Sequence, residues 1–164
     1  MKKKFFNTIV GLIVFLILLI DQTTKYYASH LLGEERKIVL IKSILELRYI
    51  ENTGAAFGSF VGKNIAIMVT VIVIILFLLL MYRRLCKTGN YFNIRLAMAI
   101  LISGAVGNLI DRMIHGFVID FIYFVPIDFP KFNFADICIV LSLLTISYLF
   151  LFVYTEDEIG CILK

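Results

Sequence analysis

The sequence predicts an all-α polytopic membrane protein with four transmembrane helices, and three observations carry that prediction. The 164 residues are 61% hydrophobic and only 17% charged, with a mean hydropathy of +0.96. A soluble domain of this size has no interior large enough for so much apolar surface. Nearly uncharged apolar runs recur along the chain, each about 18 residues or longer, the length that crosses a bilayer as a helix. Lysines and arginines gather at the ends of those runs, where they reach the headgroups and orient the protein. The net charge of +4 is therefore a membrane signal and not a nucleic-acid one. One domain over 1–164 is expected.

The first span is expected over about 5–32. Met1-Lys2-Lys3-Lys4 and the apolar run behind it resemble a secretory signal peptide. No small-residue cleavage site follows, however; Asp21-Gln22-Thr23-Thr24-Lys25 comes instead. Asp21 and Lys25 share a helix face at i, i+4 and can pair. The loop over about 33–63 contains Leu45–Ile50, whose rough alternation predicts a strand. Glu51–Gly58 then supplies small residues suited to a turn.

The second span is expected over about 64–82, followed by a short basic turn at Arg83–Asn90. The third covers about 94–113 and places Gly104, Asn108 and Arg112 on one stripe, with glycine allowing a neighbouring helix to come close. His115-Gly116 ends it. Gly116–Phe124 is β-like, and Pro126 and Pro130 break the chain before a fourth span over about 134–154. The three cysteines, Cys86, Cys138 and Cys161, are scattered and read as packing residues, with neither a disulfide nor a metal pattern.

Four spans place both termini on one side. Eight of the 16 lysines and arginines fall on each side, a tie. Those on the terminal side crowd short segments beside the spans, which puts both termini in the cytoplasm. Asp21, Lys25, Asn52, Asn108, Asp111, Arg112, Asp120, Asn133 and Asp136 then all fall at the opposite membrane boundary. Ionisable groups at such a depth are costly and mark a site.

Two carboxylates held together cannot both ionise cheaply, so the pair becomes an acid and a base at once. Asp120 and Asp136 are the candidates, and that chemistry is what an aspartic protease requires. From spacing alone the plainer readings stay open: Asp136 as a helix cap and Asp120 as a solvated loop charge. Asn52 and Asn133 are turn residues or amides that hold an extended peptide. Asp111, beside Arg112, reads as a structural pair for an arginine suited to burial. A proton-coupled transporter is a second reading of intramembrane carboxylates. Against it, the polar groups cluster at one boundary and do not line a path across.

Five segments in order resemble the motifs of the bacterial lipoprotein signal peptidase (signal peptidase II) family. They are Asp21–Lys25, Glu51–Gly58, Gly104–Arg112, Val118–Phe121 and Phe129–Asp136. The resemblance implies four transmembrane helices with a small extracytoplasmic β-cradle, and a catalytic pair of Asp120 and Asp136. It implies that Asp21, Lys25, Asn52, Gly54, Gly104, Asn108, Arg112, Asn133 and Ala135 bind substrate or support the site. It further implies an aspartic endopeptidase of the bacterial cytoplasmic membrane with its site at the outer face. Its substrates would be prolipoproteins, cut before a diacylglyceryl-modified cysteine. No metal or cofactor is expected. Membrane lipid, the inhibitor globomycin and a monomeric state complete the expectation. Ile137 departs from the small polar residue many members carry there.

Overall fold

A computed structural model describes residues 2–33, 36–54, 63–88 and 91–163. Helix α1 spans Lys2–Leu31, strands β1 and β2 span Lys37–Ile41 and Leu45–Asn52, and α2 spans Lys63–Thr88. Helix α3 spans Phe92–His115 and strand β3 spans Val118–Phe124. A 3-10 turn at Val125–Ile127 leads to α4, Phe134–Tyr148, which runs on as a π-helical turn over Leu149–Val153. A short α5 closes the chain at Glu156–Leu163.

Among the described residues, four helical segments are long and apolar enough to cross a membrane: Phe5–Leu31, Ile65–Leu85, Phe92–His115 and Phe134–Val153. The third is the axis of the bundle, for α3 packs against α1, α2 and α4. It has the lowest mean hydropathy of the four, 1.5 against 3.2 for the second, yet 56% of its most apolar window is buried against 6% there. The two facts have one cause. Lipid-facing residues must be apolar, whereas a helix covered by protein can carry polar groups provided they find partners. Gly116 ends α3 in the left-handed conformation, φ +83°, and its N–H returns to the Arg112 carbonyl.

Close approach of α3 and α4 depends on Gly104. A methyl group there would stand 2.6 Å from the Ala135 carbonyl oxygen and 2.9 Å from Ile139 Cγ1. Gly107 lies one turn on, and a methyl group there would meet Asp21 Oδ2 at 2.5 Å. These two glycines let α4 and α1 press against α3 where the polar residues lie.

The strands form one antiparallel sheet in the order β1-β2-β3. The strand expected at Leu45–Ile50 is β2, and the β-like stretch before Pro126 is β3. Strand β1 was not expected: Ile38–Ile41 is an unbroken apolar run with no alternation, because all five β1 residues are exposed. Between Leu47↔Ile122 and Ile50↔Asp120 the register shifts, which bends β2 and carries its end toward Asp120. The chain leaving β3 turns at Pro126 and returns, with Phe132 and Ile122 exchanging backbone hydrogen bonds of 3.0 and 2.8 Å. That return sets Asn133, the residue before α4, beside β3. Buried Ala28, Leu32, Ile119 and Phe121 fix the sheet to the end of α1.

In the turn after β2, Gly54 has φ +74° and its N–H donates to Asn52 Oδ1 at 2.8 Å. The rest of that expected turn, residues 55–58, lies outside the described residues. Cys138 is buried and free, while the side chains of Cys86 and Cys161 lie outside the described set.

Gly104→Ala should cost about 1–3 kcal/mol of stability through overpacking at Ala135 and Ile139. Thermal unfolding in detergent measures it, and an unchanged transition would show that α3 and α4 do not approach as described.

Candidate active site

The site is assembled from five elements that end at one boundary of the bundle. Helix α1 brings Asp21, Gln22 and Lys25; α3 brings Gly107, Asn108 and Asp111; β2 and β3 bring Asn52 and Asp120; α4 brings Ala135 and Asp136. Asn133 caps α4.

Asn133 is the joint between the two carboxylates. It stands in extended conformation before α4, and its Oδ1 accepts from the Asp136 N–H at 3.0 Å. In return its own N–H donates to Asp136 Oδ2 at 3.1 Å, a reciprocal capping box. Its Nδ2 then donates to Asp120 Oδ1 at 2.7 Å and to Asn108 Oδ1 at 3.1 Å. Asp136 does cap its helix, as the plainer sequence reading had it, but only with one oxygen. The other, Oδ1, accepts from Asn108 Nδ2 at 2.8 Å.

Asp120 is buried, and Asn52 Nδ2 donates to its Oδ2 at 2.8 Å across the bent sheet. Burial pushes the Asp120 carboxyl up to about 6. The hydrogen bonds from Asn52 and Asn133 oppose that rise, and the neighbouring charge of Asp136 adds to it. Asp136 is half-buried, so the pair couples an enclosed carboxyl to one nearer the surface.

Beneath the pair lies a charged cluster with almost no exposure. Lys25, 1% exposed, donates to Asp21 Oδ2 at 2.9 Å and to Asn108 Oδ1 at 2.9 Å, and lies 3.0 Å from Asp111 Oδ2. Asp21 Oδ1 accepts from the Ala135 N–H at 3.0 Å, which ties α1 to the first turn of α4. Asp111 Oδ2 accepts from the Ile119 N–H at 3.1 Å, which fixes the residue just before Asp120. Gln22 Nε2 bridges Asp21 Oδ2 and Asp111 Oδ1, each at 3.1 Å.

The expected Asp21–Lys25 pair is therefore present, and Asp111 pairs with Lys25 and not with Arg112. Arg112 is half-buried at the flank of the stripe; its Nη1 reaches only the Asn108 carbonyl, at 3.4 Å. Its charge is felt by Asp136, Asp120 and Asp111, although it forms no ion pair among the described residues. Gly54 shapes the turn after Asn52 and makes no hydrogen bond to either carboxylate. Gln22 and Gly107 were missed by the sequence reading. The signal for Gly107 was there: Gly104, Gly107 and Asp111 recur at i, i+3, i+7, and they, with Asn108, are the buried residues of the C-terminal half of α3.

Comparison with known proteins points the same way from independent data. The family model for signal peptidase (SPase) II matches residues 13–152. A lipoprotein signal peptidase of Thermodesulfovibrio yellowstonii is 40% identical over 90% of this chain and 97% of its own length. One from Halothermothrix orenii is 33% identical over 92% and 99%, and one from Staphylococcus haemolyticus is 36% identical over 93% and 94%. Among solved structures, one described as a bacterial membrane enzyme superposes with a TM-score of 0.79 at 28% identity, covering 90% of this chain and 95% of that one.

Two outcomes follow from the geometry. Lys25→Met leaves two buried carboxylates without their cation and should cost about 3–5 kcal/mol. Lys37→Met, at an exposed lysine 3.7 Å from a Glu46 that keeps Arg48 at 2.6 Å, should cost no more than about 1 kcal/mol. Equal losses on unfolding would contradict the cluster. Asn52→Ala removes a donor that favours the Asp120 anion, so Asp120 should hold its proton to a pH above the wild-type midpoint. Carboxyl NMR titration reads that shift, and a midpoint unchanged or lower would oppose it.

Proposed function

Since the chain belongs to the signal peptidase II family, we propose that it is an intramembrane aspartic endopeptidase that removes signal peptides from prolipoproteins, with Asp120 and Asp136 as the catalytic pair. The single observation that carries this reading is Asn133, whose side chain and backbone hold both carboxylates at once. The pair shares one proton. The ionised carboxylate takes a proton from a water as its oxygen attacks the scissile carbonyl carbon, and the protonated one donates to the carbonyl oxygen. When the tetrahedral carbon collapses, the proton just taken passes to the leaving amine and the other returns, so the pair is restored. Burial of Asp120, which raises its carboxyl, supports the protonated role for it, and the two titrate as a unit.

Asn108 and Asn133 are positioning residues, since each donates to one of the two carboxylates. Asp21, Lys25 and Ala135 act through them by fixing α1 to α4, and Gly104 permits that contact. Asn52 holds Asp120 from the sheet. Arg112 supplies positive potential at the flank, and Gly54 orients the turn that follows β2.

The substrate is a prolipoprotein cut before a diacylglyceryl-modified cysteine. Such a substrate stays in the bilayer, so its scissile bond lies at the interface, a depth that a pair built where α4 begins would suit. The protein acts as a monomer, as one unit within the cytoplasmic membrane of a bacterium, in contact with membrane lipid. Both termini face the cytoplasm and the site faces outward, a topology supported by the dense cations at Lys2–Lys4 and Arg83–Lys87. Globomycin inhibits by occupying the pair.

Asp120→Asn and Asp136→Asn should each lower cleavage of a diacylglyceryl-modified precursor by at least about 10²–10⁴-fold while the protein still inserts and folds. Purified protein incubated with modified and unmodified precursor should cut only the first, and globomycin should stop it. Full cleavage by either variant would sink the pair, and equal cleavage of the two precursors would sink the lipid-dependent specificity.

A further inference from the structure

At the end of the bundle opposite the carboxylates, α3 buries a second cation. Arg95 is 6% exposed, one turn into α3. Among the described residues it forms no ion pair. Its Nη2 donates to Asn7 Oδ1 at 3.1 Å, and its guanidinium lies 4.3 Å from the ring centre of Phe6 and 5.8 Å from that of Tyr82. Its Nε is enclosed and has no partner. Two aromatic faces and one amide solvate a cation only in part. They bring no negative charge to a low-dielectric site, where an unpaired donor is costly.

A groove lies between the same three helices. It is wholly apolar, encloses about 180 Å³, and is lined by Val10, Val14, Leu79, Tyr82, Ala99 and Ile102. The sequence spacing puts groove and cation on the same helix faces, with Arg95 one turn from Ala99. Arg95, Ala99 and Ile102 recur at i, i+4, i+7 on α3; Asn7, Val10 and Val14 at i, i+3, i+7 on α1; Leu79 and Tyr82 at i, i+3 on α2. Each of the three stripes is apolar toward the bilayer centre and ends in a polar residue: Arg95, Asn7 or Tyr82.

We infer that α1, α2 and α3 form a binding site for one anionic glycerophospholipid, with its phosphate on Arg95 and an acyl chain in the groove. Guanidinium suits phosphate because its fork offers two parallel donors. Basic pockets between helices near one membrane face take lipid headgroups on this principle. The occupant is a lipid and not free phosphate, because an anion alone would leave the apolar groove empty. The site is separate from the carboxylate pair, so its occupancy stands or falls independently of the proposed reaction.

Native mass spectrometry of the purified full chain tests it, with phosphatidylglycerol, phosphatidylcholine and inorganic phosphate added in separate arms. Wild-type protein should retain one phosphatidylglycerol, phosphatidylcholine should be retained several-fold less, and inorganic phosphate should not be retained. Arg95→Gln should weaken phosphatidylglycerol retention by about fivefold or more. Ala99→Leu keeps the cation but fills the groove, and should weaken retention likewise, which decides the matter should Arg95→Gln fail to fold. Equal retention by wild type and a folded Arg95→Gln, by wild type and Ala99→Leu, or of the two lipids would overturn the site. Retention of phosphate as strong as that of lipid would overturn it too.

Discussion

One buried ammonium joins the three helices that frame the carboxylate pair. Lys25 touches Asp21 on its own helix and Asn108 and Asp111 on α3, and through Asp21 it reaches the first turn of α4. Burying such a group is expensive, and a buried ion pair is weak evidence of stability. Two carboxylates sharing one ammonium make the cost greater. The cluster is better understood as a specification of geometry. Asp21 and Asp111 lie one on each side of Lys25, and Gln22 supplies to both the additional donor that one lysine cannot. Few arrangements of α1, α3 and α4 satisfy all these donors and acceptors together, and in an apolar bundle an unsatisfied one is heavily penalised.

From that cluster the order passes outward in two short steps. Asn108 accepts from Lys25 and donates to Asp136; Asp111 accepts from Lys25 and holds the backbone just before Asp120. Asn133 closes the circuit by donating to Asp120 and capping the helix on which Asp136 sits. The two carboxylates come from a strand and a helix separated by a turn containing Pro126 and Pro130. Asn133 links them locally, and Asn108 and Asp111 hold them from below through a lysine nearly a hundred residues earlier in the chain. Asp120, enclosed and pushed up to about 6, faces a half-buried partner, and this asymmetry suits a pair that keeps one proton.

Much of this was legible in the sequence, because the bilayer simplifies the code. Uncharged runs long enough to span announced the helices, and Asp21 with Lys25 at i, i+4 announced their pair. Asp111 was assigned to the wrong cation. Adjacency to Arg112 suggested that pairing, but neighbours in a helix point about 100° apart, and burial favoured Lys25 from another helix. Gln22 was overlooked between two charged residues, since an amide gains importance only when two acids flank it in space. Strand β1 was overlooked because strands are recognised by alternation, and β1 has no buried face to alternate with. The reciprocal cap at Asn133 shows why the plain and the catalytic readings of Asp136 could not be separated by spacing: one carboxylate oxygen caps the helix, and the other is left to Asn108.

The central claim is that Asp120 and Asp136 act as a coupled pair sharing one proton. The most direct test is the pH dependence of kcat/KM on a diacylglyceryl-modified precursor, measured across the range in which the protein stays folded. A coupled pair predicts a bell with two limbs, since activity is lost when both carboxyls are protonated and again when neither is. A profile with one limb only, level on the side where the pair would lose its last proton, would contradict it.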